Sequence, residues 1–179
     1  MKTSDEALAL AAAKGDRSAF AGLLDRHYTR LFRLVFRLSG TKAEAEDITQ
    51  DICLALPAKL AGYKGDANFT TWLYRVAVNA THDRRRRAMT YAKAAADWGE
   101  IELARRAEDD ERRDAGKWLD HAMSALPTDL RDTLALVLDD ELTHAQAADV
   151  LDLSEGTISW RLSEARKRLR IMHETEERT

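Results

Sequence analysis

At 179 residues, 45% hydrophobic and 33% charged, the chain is long enough for one domain or two small ones, and its eight Gly and two Pro are too few for an all-β fold. Ala, Leu, Arg and Glu are residues that helices favour, so an all-α fold is expected. The single Cys53 excludes an intramolecular disulfide, no run nears the ~18 apolar residues of a membrane span, and the N-terminus lacks a basic-then-apolar secretion signal, so a cytoplasmic location is expected. The net charge of −3 looks unsuited to a nucleic-acid partner, but the charges are segregated. Asp97 to Asp114 holds eight acidic residues and four arginines, while Arg84 to Arg87 is a run of four arginines and Arg161 to Arg170 holds five basic residues. The acidic stretch has no sustained apolar stripe and reads as a linker. The division expected is a first helical domain over 1–89, an acidic linker over 90–114 and a second helical domain over 115–179.

In the first domain, Thr3 and Glu6 fit a capping box for a short helix that Gly15 ends. Phe20, Leu23, Leu24, His27, Tyr28, Leu31, Val35 and Leu38 recur at three- and four-residue steps and predict an amphipathic helix ending at Gly40. Thr41 and Glu44 form a second capping box. The helix it opens turns Ala45, Ile48, Ile52, Ala55, Leu56 and Leu60 inward, leaves Asp47, Gln50, Asp51 and Leu54 outward, and is expected to kink at Pro57. After a loop over 62–68, a helix of about Thr70 to Met89 has Phe69, Leu73, Val76, Ala77 and Ala80 on an apolar side. Trp72, Arg75, Asn79, His82 and Arg86 share another. Taken alone that second face is a solvated surface with a snorkelling Trp; the adjacent four-arginine run, more than a helix dipole calls for, points instead to a polyanion.

In the second domain, Trp118, Leu119, Ala122, Ala125 and Leu126 form one helix that stops near Pro127, and Leu130, Leu134, Val137 and Leu138 line the next. Beyond the polar break Asp139 to Glu141, Thr143 and Gln146 box a short helix ending near Leu151. Ser154 then caps a final helix whose buried stripe is Ile158, Leu162, Ala165 and Leu169. Short helix, tight turn, longer helix is the helix-turn-helix pattern, whose second helix lies in the major groove. Glu155, Gly156, Thr157, Ser159, Trp160 and Ser163 fall off the buried stripe where base edges are read, and Arg161, Arg166, Lys167 and Arg168 are placed for phosphates. No catalytic constellation is found. His27, His82, His121, His144, His173 and Cys53 have no metal-ligand spacing, and there is no phosphate loop or serine elbow, so neither an enzyme nor a cofactor is expected. His27, on an apolar face, reads as a core histidine with a hydrogen bond.

Three blocks, AEAEDITQDICLAL, YKGDANFTTWLYRVAVNATHDRRRR and ALPTDLRDTLALVLDDELTHAQAADVLDLSEGTISWRLSEARKRLR, resemble in this order the extracytoplasmic-function sigma factors, the smallest bacterial RNA polymerase sigma subunits. The resemblance implies that Asp47, Gln50, Asp51 and Leu54 face the clamp of core RNA polymerase. It implies that the loop Lys64, Gly65, Asp66, Ala67, Asn68 and Phe69 receives a flipped base of the minus-ten element, with Trp72, Arg75, Asn79 and Arg84, Arg85, Arg86 and Arg87 along the opened strand of promoter DNA. The helix-turn-helix would read the minus-thirty-five element, and an anti-sigma factor would hold the protein in check. Pro57, Asp152 in the helix-turn-helix turn, and Ser159 and Trp160 in the reading helix depart from the usual pattern. A stand-alone helix-turn-helix regulator and a sigma-like decoy for an anti-sigma protein are the alternatives.

Overall fold

The computed structural model describes residues 3–97, 115–138 and 142–177, so most of the acidic linker and the break at Asp139 to Glu141 lie outside the described residues. Among these residues the chain forms eight helices and no strand. α1 spans Asp5–Ala13, capped by Ser4, whose Oγ accepts from the Ala7 N–H at 3.2 Å. Ser4, not Thr3, is thus the cap, and Glu6 is directed elsewhere. α2, Arg17–Ser39, starts at Asp16, whose carboxylate accepts from the Ser18 and Ala19 N–H groups, and stops at Gly40 in the left-handed region at φ 89°. Its buried stripe runs through Leu23, His27, Leu31, Leu34, Val35 and Leu38. Leu34 replaces the expected Tyr28, which is 50% exposed.

α3, Lys42–Leu60, is capped by Thr41 and continues as helix through the exposed Pro57. α4, Phe69–Asp97, is longer than the expected helix. Its continuation past Met89 uses Ala-rich sequence assigned above to the linker, and helix propensity carries it there, with residues 90–94 exposed. Tyr74 and Val78 are buried on α4 together with Phe69, Leu73 and Ala77, because α4 packs against α2 and α3 on one side and against the second domain on another.

That second domain comprises α5, Ala115–Ser124, α6, Thr128–Val137, α7, His144–Leu151, and α8, Glu155–Glu176. The Thr143 capping box is complete, with the Gln146 side chain accepting from the Thr143 N–H at 2.9 Å. Asp152 closes α7 in the left-handed conformation at φ 55°, ψ 51°, a geometry that Asp tolerates better than most residues. Its N–H and that of Leu153 both return to the Ala148 carbonyl, and this tight turn aims α8. Ile158, Leu162 and Ala165 hold α8 on α6 and α7. The two halves meet where α6 and α5 pack on α2 and α7 packs on α4.

Candidate nucleic-acid and polymerase surfaces

On α3 the inward pattern of Ala45, Ile48, Ile52 and Leu56 leaves Asp47, Gln50, Asp51 and Leu54 exposed on one side, with Leu54 at 74%. Asp47 is paired with Arg84 of α4 at 3.2 Å, both side chains exposed, a pair worth at most about 1 kcal/mol.

The loop between α3 and α4 is held at both ends. Tyr63, buried, donates its hydroxyl to the Ala67 carbonyl at 2.8 Å, and Asn68 Oδ1 accepts from the Thr70 N–H at 2.8 Å, capping α4. Lys64, Gly65, Asp66 and Asn68 are exposed between these anchors, Ala67 is half-buried, and Gly65 takes φ 79°. Phe69 is 1% exposed, so it floors the loop and does not reach a base; the helix start buries it against His27, 5.1 Å away edge-on. Trp72 is half-buried, its ring 5.2 Å from Tyr63 and 5.8 Å from Phe69. One side of its indole is therefore committed to this cluster, and only the remainder can stack on a ligand. His27 is the expected core histidine: 4% exposed, with Nε2 2.7 Å from Asp5.

Further along α4, Arg75, Asn79, His82 and Arg86 are exposed on a common side, but two of them are occupied by the second domain. Arg75 pairs with the Asp149 carboxylate of α7 at 2.8 Å and also bonds that residue's carbonyl. His82 Nε2 lies 2.6 Å from Asp132 of α6, and Arg85 reaches the same carboxylate at 3.1 and 3.2 Å while bonding the Leu38 carbonyl. Arg85 is therefore an interface residue in this arrangement and not a free DNA contact, because Asp132 is only 3% exposed and a buried carboxylate demands a cation. Arg86 pairs with Asp83, and Arg84 with Asp47. Arg87 lines a groove of about 260 Å³ between α3 and α4 together with Asp51, Asn79 and Arg84.

Burial by itself would raise the Asp132 pKa, but the hydrogen bonds from His82 and Arg85, with the charge of Arg85, outweigh it and hold the carboxyl below its usual range. A depressed folded-state pKa contributes stability above the unfolded value near 4, and that contribution disappears as pH falls through the folded value. Asp132→Asn is therefore expected to lower stability by about 3 kcal/mol at pH 7. Melting curves from pH 7 to pH 3 check this: the gap between the two proteins should close only below about pH 4, and a gap independent of pH would contradict it.

The reading helix stands clear. Glu155, Gly156, Ser159, Ser163, Arg166 and Lys167 are exposed, and Trp160 is 62% exposed. Thr157 is half-buried, its N–H and hydroxyl both engaged with the Ser154 cap, and Arg161 lies 3.8 Å from Asp129. His144, at the first position of α7, comes within 3.3 Å of the Ser159 hydroxyl. Neither His144 nor the Asp132 and Asp149 partners of α4 stood out in the sequence. They become visible only once the turns bring distant helices together.

The class so defined is that of helix-turn-helix DNA-binding proteins. Residues 23–90 match the model of sigma-70 region 2, and residues 116–169 match that of sigma-70, region 4. The ECF RNA polymerase sigma factor SigM of Mycobacterium tuberculosis is 34% identical over 166 residues, covering 93% of this chain and 83% of its own length. SigW of Bacillus subtilis, another ECF RNA polymerase sigma factor, is 28% identical over 168 residues, 88% of this chain and 90% of its own. Among solved structures, CnrH in complex with the cytosolic domain of CnrY superposes with a TM-score of 0.72 at 24% identity, over 97% of this chain and 99% of that one. The sigma factor RpoE of Bartonella quintana, in complex with the anti-sigma factor NepR, gives 0.71 at 23% identity, over 87% of this chain and 96% of that one. The chain belongs to the extracytoplasmic-function sigma factors. No described helix is long and apolar enough to cross a membrane.

Proposed function

We propose that this chain binds core RNA polymerase in the cytoplasm through the Asp47, Gln50, Asp51 and Leu54 side of α3 and directs it to promoters. The loop Lys64 to Asn68 with Trp72 and Asn79 takes unpaired minus-ten bases, and α8 reads the minus-thirty-five duplex. The observation that carries the reading is that the two nucleic-acid surfaces differ in kind. One is a loop floored by aromatic rings, suited to splayed bases, and the other is a convex helix with a bare Trp and flanking cations, suited to a closed groove. Transcription control is the role, not catalysis. A resident anti-sigma partner fits the relation to RpoE, which is captured with one.

Minus-ten and minus-thirty-five elements lie about 25 base pairs, or about 85 Å, apart. A compact chain of this length has a radius of gyration of about 16 Å, and its longest described helix, the 29-residue α4, is about 44 Å long. Both elements therefore cannot be held while α7 sits on α4, and Asp149 must release Arg75 before a phosphate can take its place. An anti-sigma factor that favours the packed arrangement would silence the protein by the same contact.

Trp160 offers the direct test of the reading helix. Because its indole is largely in water, Trp160→Ala is expected to change stability by no more than a surface substitution does, about 0.5 kcal/mol. Discrimination at one minus-thirty-five position should fall by ~1–3 kcal/mol. Competition transcription between promoters that differ at single minus-thirty-five positions reads this out. A loss of stability without loss of discrimination would overturn the assignment, and undiminished discrimination in the absence of core polymerase would favour a stand-alone regulator.

A further inference from the structure

We infer that α1 is a brace for the minus-ten loop and that Glu6 is its positioning residue; this rests on the reading of that loop as the base pocket. α1 lies ahead of the segment that matches sigma-70 region 2, which begins at residue 23, yet its Glu6 reaches the C-terminal end of the loop. The Glu6 carboxylate accepts a hydrogen bond from the Phe69 N–H at 3.3 Å, across 63 residues of sequence. Phe69 opens α4, so one donor at the helix start is met by Glu6 and the next, Thr70 N–H, by Asn68. At the other end of the loop, burial first and then the carboxylates of Glu6 and Asp66 push the Tyr63 phenol up, and it is this phenol that closes the loop on Ala67.

The neighbouring residue of α1 grips the same cluster from beneath. Asp5 binds Arg26 at 2.6 Å and His27 at 2.7 Å, and the buried His27 ring meets Phe69 edge-on. Phe69 in turn supports Tyr63 and Trp72. The consecutive acids Asp5 and Glu6 thus fix the floor and the C-terminal anchor of the loop, while Ala9 of the same helix is fully buried in the core. A pocket for a flipped base works only if its walls are in place before the base arrives, so slack at Phe69 is paid for in opening and not in polymerase binding.

The test compares full-length Glu6→Ala and Glu6→Gln with the parent chain, each bound to core polymerase. Open-complex formation, read by permanganate reactivity of promoter thymines, is expected to fall about three- to tenfold for Glu6→Ala. Core polymerase affinity should be unchanged, since α3 is untouched, and Glu6→Gln, which keeps the acceptor oxygen, should recover to within about twofold. A purely structural role for Glu6 would lower polymerase binding and opening in parallel with thermal stability, with no rescue by Gln. That result, or normal opening by Glu6→Ala, would overturn the inference. Lys64→Ala and Asp66→Ala at the loop tip separate this from the underlying reading. If they impair opening and Glu6→Ala does not, only the brace is wrong; if they too are silent, the loop is not the base pocket.

Discussion

Joining the C-terminal cap of α2 to α5 by a disulfide is expected to abolish promoter-dependent transcription, and reducing that disulfide to restore it. A Cβ placed on Gly40 would lie 3.7 Å from the Ser124 Cβ, within the range that disulfides span. Gly40→Cys with Ser124→Cys would therefore hold the packed arrangement, in which Arg75 is bound to Asp149 and His82 and Arg85 to Asp132. Cys53 is half-buried and its thiol is pushed up by burial, so it competes poorly, and Cys53→Ala removes it. Cysteine at position 40 must adopt a left-handed backbone, but this strain is common to the oxidised and reduced protein and cancels in their comparison. Oxidised protein that transcribed as well as reduced protein would show that α7 need not leave α4.

Replacing Asp47, Gln50 and Asp51 by Ala together with Leu54→Asp is the second large effect. Interface positions whose substitution costs 2–4 kcal/mol correspond to about thirty- to thousandfold in affinity, and here three polar side chains are removed and the exposed Leu54 is replaced by a charge. Core polymerase binding should therefore fall by at least about thirtyfold. The fold should hold, because none of the four side chains contributes to the core and the Asp47 pair with Arg84 is in water. Helicity and melting temperature check the second half; a quadruple variant that bound core polymerase normally, or one that unfolded, would refute the assignment of this face.

Local signals were legible in the sequence wherever the determining chemistry is local. The Thr143 and Ser154 caps, the stop at Gly40 and the inward stripe of α3 each depend on residues within a turn or two. The exposed side of α3 and the bare reading face of α8 follow from the same periodicity. What periodicity could not carry was partnership across the fold. Asp132 and Asp149 are ordinary helix acids until α6 and α7 pack on α2 and α4, and only then do Arg85 and Arg75 cease to be free cations. Phe69 was placed both on an apolar side and in the base-receiving loop, and burial against His27 decided for the first. The periodicity puts Trp72 on a solvated face, whereas Tyr63 and Phe69 claim part of its ring. Glu6 was assigned to a cap that Ser4 supplies, and its partner 63 residues away had no local signature.

The most direct measurement is transcription by core polymerase reconstituted with this chain on fragments of the host genome, with core alone and chain alone as controls. Start sites confined to a small set of promoters that share one minus-thirty-five and one minus-ten sequence, and dependent on both components, are the expected result. Sequence-specific DNA binding by the chain alone, with no association to core polymerase and no new start sites, would contradict it.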